Sequence, residues 1–166
     1  MRIGLGIDTH AFASESEGRP LILGGVRIAH PRGLAGHSDA DVLVHAIMDS
    51  LLGAARLGDI GQHFPPSDPA YKDANSLNLL RWVHELLTLD GWRIEDIDSV
   101  IIAQEPRLSP FRDEMRTNIA EALSISLEQV GIKATTTEHL GFEGRKEGIS
   151  AYTVSLLEKH YTKERE

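Results

Sequence analysis

Met1-Arg-Ile-Gly-Leu-Gly-Ile-Asp8 alternates Ile3, Leu5 and Ile7 with glycine and polar residues, a period of two that predicts a half-buried strand. Gly4 and Gly6 weaken it by propensity, and glycine inside a strand marks a bulge or a close approach to the backbone. Leu21 to Ile28, broken by Gly24-Gly25, predicts a hairpin or kinked second strand, and Pro31 to Gly36 a loop. Ser38 and Asp39 then offer helix caps. Val42, Leu43, Ala46, Ile47, Leu51 and Leu52 follow at helical spacing, predicting a helix that stops near Gly58. Leu57 to Pro69 holds three Pro and two Gly and is expected to be a loop.

Asn75 to Leu89 predicts a second amphipathic helix, ended by Asp90-Gly91, and the β-branched run Ile97 to Ala103 a buried strand closed by Pro106 and Pro110. Phe111 to Leu123 predicts a third helix, and Gln129 to Thr137 and Gly148 to Leu157 two more strands. The sum is a mixed α/β (α+β) sandwich, a sheet with helices on one face. Its open face needs a partner, so an oligomer is expected.

A chain of 166 residues with 41% hydrophobic content suits one domain, here residues 1–160, followed by a charged tail, 161–166, that is expected to fray. Cysteine is absent, so any metal must be held by His and carboxylate. The net charge of -8, with 25 acidic against 17 basic residues, argues against a nucleic-acid partner. A phosphate ester bound here needs metal ions, backbone N–H groups and a few placed cations. Met1 to His10 lacks the regions of a secretory signal, and no apolar stretch approaches the ~20 residues of a membrane span. A soluble cytoplasmic protein is expected.

Asp8-Thr9-His10 puts a carboxylate and an imidazole on the same face of a strand end, where they can share one ion. An Asp-x-His pair alone is commoner as a satisfied surface or core pair. His37-Ser-Asp-Ala-Asp-Val-Leu-Val-His45 adds two His and two Asp around a helix start, and His45, one turn beyond Asp41, can project toward the strand end. Asp8, His10 and His45 then offer zinc three N and O ligands and leave a fourth position for a substrate oxygen, as in catalytic sites. Asp39 and Asp41 suit a helix N-terminus and can also orient a ligand. His30, His63, His84, His139 and His160 show no partner pattern.

Three further segments suit phosphates and hydroxyls. Leu57 to Gly61, with Asp59, Ile60 and Gly61, and then Phe64-Pro65-Pro66-Ser67-Asp68, combine Gly-flanked N–H groups with carboxylates, although capped turns explain them as well. Thr135-Thr136-Thr137-Glu138 ends a strand with three hydroxyls and a carboxylate fit for Mg2+ or Mn2+, and Arg145 can clamp an anion. Ala103-Gln104-Glu105-Pro106-Arg107-Leu108-Ser109 turns from a strand into a helix start with free N–H groups. Neither a Walker motif nor a dinucleotide fingerprint is present.

Arg2 to His10, His37 to Ala46, Leu51 to Gly61, Ala134 to Glu138 and Gly141 to Arg145 resemble, in order and over nearly the whole chain, the cyclodiphosphate synthase family. The resemblance implies a homotrimer of ferredoxin-like subunits with active sites between neighbours, in the single-function form. It implies zinc on Asp8, His10 and His45, and a second cation, Mg2+ or Mn2+, on Glu138. A cytidine pocket falls on Ala103 to Ser109 with Thr135 and Thr136, a substrate loop on Asp59 to Gly61 and Phe64 to Asp68, and further contacts on His37, Ser38, Phe142 and Arg145. The implied reaction is intramolecular attack of a 2-phosphate on the β-phosphate of a cytidine diphosphate ester, in non-mevalonate isoprenoid biosynthesis, with CMP leaving and His37 and Thr136 donating to the transition state. Arg107 stands where Lys is common, and Leu5 and Ile7 replace more polar or aromatic choices. Taken without the resemblance, the residues also suit a zinc-dependent phosphoester hydrolase or a trimeric binding module with a structural ion.

Overall fold

The N-terminal alternation forms β1 (Arg2–Ala11) in the computed structural model, which describes residues 1–159. The tail at 161–166 and His160 lie outside the described residues. The hairpin is as expected, β2 (Leu21–Leu23) and β3 (Val26–Ile28), turned by Gly24 and Gly25 at positive φ. Three helices follow the apolar spacing: α1 (Val42–Ala55), α3 (Ser76–Leu89) and α4 (Arg112–Ala122). Between the first two, α2 (Ile60–His63) is a single capped turn inside the stretch expected to be loop. The remaining elements are β4 (Trp92–Ile102), β5 (Val130–Thr135), the short α5 (Gly141–Gly144) and β6 (Gly148–Lys159).

The main sheet runs β1-β6-β4-β5, antiparallel except for the parallel pair β4 and β5. Strand β4 begins five residues before the expected Ile97. Its first part carries Arg93, Glu95 and Asp96, whose charges break the apolar pattern, yet it pairs with the end of β6 through a register shift between Ile94 and Asp96.

The largest departure concerns β1. The strand is half-buried, but its buried side is the glycine side, and Ile3, Leu5 and Ile7 point away from the helices at 68%, 61% and 48% exposure. A β-carbon at Gly4 would lie 1.9 Å from the Ser50 carbonyl oxygen and one at Gly6 1.9 Å from that of Ala46, so α1 rests directly on the bare backbone of β1. Helix α1 is buried on nearly all sides. Its Asp41 cap accepts the N–H groups of Val44, Gly24 and Gly25 at 3.1, 3.0 and 2.8 Å, tying the hairpin turn to the helix start.

Leu43, Ile47 and Leu51 belong to one buried cluster with Ile97, Ile101, Ile149 and Leu157. On the opposite face Leu5 stands across from Val154 and Ile7 across from Tyr152, all exposed. No helix among the described residues is long and apolar enough to cross a membrane.

Candidate metal centre and phosphate pocket

Asp8 and His10 share the glycine face of β1, and the close seat of α1 on that face carries His45 to them. The result is a cluster of donor atoms. Asp8 Oδ2 lies 2.9 Å from His10 Nε2 and 3.0 Å from His45 Nδ1, and the two nitrogens are 3.2 Å apart. Bonds of ~2.0–2.1 Å to a tetrahedral zinc put ligand atoms roughly 3.3 Å apart, so the three donors fit one ion with little movement. Among the described residues this is the group able to hold a metal.

Without a cation the carboxylate and the two imidazoles hydrogen-bond one another, which favours the ionised form of Asp8 but also a proton on His10 that a cation must displace. Burial opposes the Asp8 charge, but hydrogen bonds and charges from His10 and His45 outweigh it and hold the carboxyl well below the usual carboxylate range. Burial likewise disfavours the His10 imidazolium, and the Asp8 hydrogen bond and charge overcome this and raise the His10 pKa. His10 Nδ1 donates to the Ala35 carbonyl at 2.6 Å, which directs Nε2 into the cluster.

His37 Nε2 donates to the Asp68 carbonyl at 3.2 Å, joining the segment before α1 to the loop after α2. In that loop Asp59 caps α2 through the Gln62 N–H at 2.9 Å, and Asp68 accepts the Ala70 N–H at 2.9 Å, so both carboxylates serve turns. Asp49, one turn beyond His45, accepts the Ile60 N–H at 2.8 Å and anchors the loop to α1. Sequence reasoning missed Asp49; its signal was the i,i+4 spacing from His45 on one helix face.

At the other edge of the sheet, Ala103 to Ser109 and the end of β5 enclose a cavity of about 310 Å³ lined by Gln104, Arg107, Leu108, Ala134, Thr135 and Thr136, among others. The Ala103 N–H bonds the Thr135 carbonyl at 3.0 Å, and Arg107 Nε donates to Ser109 Oγ at 2.9 Å. Thr136 Oγ1 donates to Glu138 Oε1 at 2.9 Å. Glu138 and His139 both adopt positive φ, 52° and 65°, and the Gln104 side chain accepts the His139 N–H at 3.1 Å, holding that turn. Thr137 Oγ1 donates to the Leu140 carbonyl. Phe142 and Arg145 lie on and just after α5, where Arg145 Nε pairs with Glu147 at 2.8 Å. Glu105 bridges Lys146 at 2.7 Å and His30 at 3.6 Å, so it tethers the two loops.

The structure does not bring the two halves of the expected site together within one chain. His10 pairs with Ile149, whose neighbour Ser150 pairs with Ile102, which in turn pairs with Thr135, so both halves lie at the same end of the sheet. Three strand spacings separate β1 from β5, roughly 14 Å.

The YgbB family is matched over residues 1–158. The 2-C-methyl-D-erythritol 2,4-cyclodiphosphate synthase of Syntrophomonas wolfei is 60% identical over 159 residues, 96% of this chain and 99% of that protein. The Moorella thermoacetica protein of the same name is 59% identical over 157 residues, 95% and 94% of the two chains. The bifunctional IspDF of Campylobacter jejuni superposes with a TM-score of 0.90 at 42% identity, over 96% of this chain and 42% of that longer one. IspF of Plasmodium falciparum, solved as a CDP complex, gives 0.83 at 36% identity over 96% and 97%. A match along nearly the whole described length, with identities this high, makes the chain a member of the YgbB family.

Proposed function

We propose that the chain converts 4-diphosphocytidyl-2-C-methyl-D-erythritol 2-phosphate into 2-C-methyl-D-erythritol 2,4-cyclodiphosphate and CMP. One oxygen of the 2-phosphate forms a bond to the β-phosphorus, the bond from that phosphorus to the bridging oxygen breaks, and CMP departs with the electron pair. No protein nucleophile is needed, because phosphoryl transfer asks mainly for positioning and charge stabilisation. The observation that carries the reading is the convergence of Asp8 Oδ2, His10 Nε2 and His45 Nδ1 to within 3.2 Å of one another, at the sheet end that also holds the Thr135–Glu138 turn.

Asp8, His10 and His45 would hold zinc and Glu138 a Mg2+ or Mn2+ ion; both cations supply Lewis-acid polarisation of diphosphate oxygens. The cavity between Ala103–Ser109 and Thr135–Thr136 takes the cytidine, in keeping with the CDP complex of the Plasmodium relative. His37 and Thr136 donate to the phosphate oxygens as charge builds. Ser38, the segments 59–61 and 64–68, Thr137, Phe142 and Arg145 complete the substrate contacts.

The assembly we infer is a homotrimer of ferredoxin-like subunits, each comprising residues 1–160 as one domain. Two features support it: the exposed apolar row of Ile3, Leu5, Ile7, Tyr152 and Val154, and the gap between metal centre and cavity, which a neighbouring copy closes by setting its own cavity beside this chain's donors.

Incubation with the cytidine diphosphate ester, Zn2+ and Mg2+, followed by phosphorus NMR, tests the reaction. A cyclic diphosphate with CMP is expected. A linear phosphate formed by water attack would point to a hydrolase instead. His10→Ala should abolish CMP release from a folded protein, and wild-type turnover in that variant without zinc would remove the metal from the mechanism.

A further inference from the structure

Behind His45, on the side away from Asp8 and His10, a second set of polar groups converges. Ser76, the fully buried first residue of α3, has its Oγ 3.0 Å from His45 Nε2. The same hydroxyl donates to Asp39 Oδ1 at 2.5 Å. A serine hydroxyl carries one hydrogen, and a carboxylate oxygen here accepts it, so toward His45 the Ser76 oxygen can only accept. His45 Nε2 must then carry the hydrogen. Ser38 Oγ, 3.2 Å from the same nitrogen, offers a second acceptor.

Asp39 cannot easily turn away from this duty. Its Oδ2 accepts the Ser76 N–H at 2.9 Å, and its Oδ1 also accepts the Asp41 N–H at 3.2 Å. The carboxylate therefore clamps the first residue of α3 by both backbone and hydroxyl, and α3 in turn holds the imidazole of α1.

We propose that Ser76 and Asp39 are positioning residues that fix His45 in its Nε2–H tautomer and so present a bare Nδ1 to the cation. His10 is fixed the same way by the Ala35 carbonyl. Partners of this kind behind a ligating imidazole set its orientation and basicity. The inference rests on the metal reading of the site, and its rival is that Asp39 and Ser76 merely cap α3.

The test titrates zinc alone against a chromophoric chelator. Ser76→Ala should weaken zinc binding about 10–100-fold, while its zinc-free melting temperature stays near that of the wild type. Ser76→Thr, which keeps the hydroxyl, should restore affinity, and Asp39→Asn, which sets an amide against the hydroxyl, should lose it. In 15N NMR of the zinc-loaded protein the His45 Nε2–H should be protected in the wild type and exchange faster in Ser76→Ala. Zinc affinity within about twofold of wild type in Ser76→Ala would overturn the proposal, as would an affinity loss matched by an equal loss of zinc-free stability. Should the wild type itself take up no zinc, the metal reading falls; should wild type and Ser76→Ala bind alike, only the positioning role falls.

Discussion

Gly6 lies directly beneath the Ala46 carbonyl, so close that a β-carbon would stand 1.9 Å from its oxygen and 2.6 Å from the Ser50 nitrogen. Both obstacles are backbone, so the helix as a whole must retreat. His45 is the neighbour of Ala46 and its reach to Asp8 depends on this contact. Gly6→Ala should therefore destabilise the protein by about 3 kcal/mol, the upper end of what overpacking costs. It should also weaken zinc binding more than any change of the same size on the outer face of β1. Urea denaturation and zinc titration check both; normal zinc affinity in Gly6→Ala would show that the seat of α1 does not set the metal site.

That contact also explains what the sequence could and could not say. A period of two in Met1 to Asp8 announces a strand but not which side is buried, and apolar content favours the side of Ile3, Leu5 and Ile7. Helix α1 reversed that choice, because only the side of Gly4 and Gly6 admits a helix backbone so near. Asp8 and His10 were legible together because alternation alone puts them on one face. Ser76 was not, since its link to His45 spans 31 residues and arises from how α3 packs on α1. Helix α2 escaped notice because four residues capped by Asp59 leave no periodicity to detect.

The outward side of β1 leads to a second expectation. Leu5 at 61% exposure faces Val154 at 48% in an apolar row that a neighbouring copy would cover. A carboxylate there would have to be buried unpaired, at a cost of several kcal/mol. Leu5→Asp should elute as a monomer. It should keep its zinc affinity, because Asp8, His10 and His45 come from one chain, and lose turnover, because in the proposed trimer the cavity beside them is supplied by a neighbouring copy. A Leu5→Asp monomer with full turnover would refute the shared site.

Gln104 offers a test at the other edge of the sheet. Its side chain accepts the His139 N–H beside two residues in the left-handed region, a conformation that costs non-glycine residues roughly 1–2 kcal/mol each. Without that anchor Glu138 is no longer held in place. Gln104→Ala should raise the Mg2+ concentration needed for half-maximal turnover about tenfold, with kcat at saturating Mg2+ and zinc affinity little changed. A fall in kcat at unchanged Mg2+ dependence would place the role of Gln104 elsewhere.

The buried cap Asp41 predicts how stability varies with pH. Burial pushes its carboxyl up from 3.8 to about 6, the Gly25 N–H opposes this, and the nearby Asp39 charge adds to it. Between those two values the native state keeps a proton that the unfolded chain has released. The contribution of Asp41 is therefore fully present below about pH 4 and is lost as pH rises through about 6. Asp41→Asn removes this dependence but sets an amide N–H against the Gly25 N–H, leaving a buried donor unmet at a cost of about 1–3 kcal/mol. In zinc-free protein the variant should be clearly less stable than the wild type near pH 4, and the gap should narrow as the pH rises through about 6. Asp8 and His10 titrate in both proteins and cancel in the comparison. Urea denaturation of the pair across this range decides the matter, because a gap that stays constant with pH would mean that Asp41 holds its charge in the folded protein as easily as in the unfolded chain.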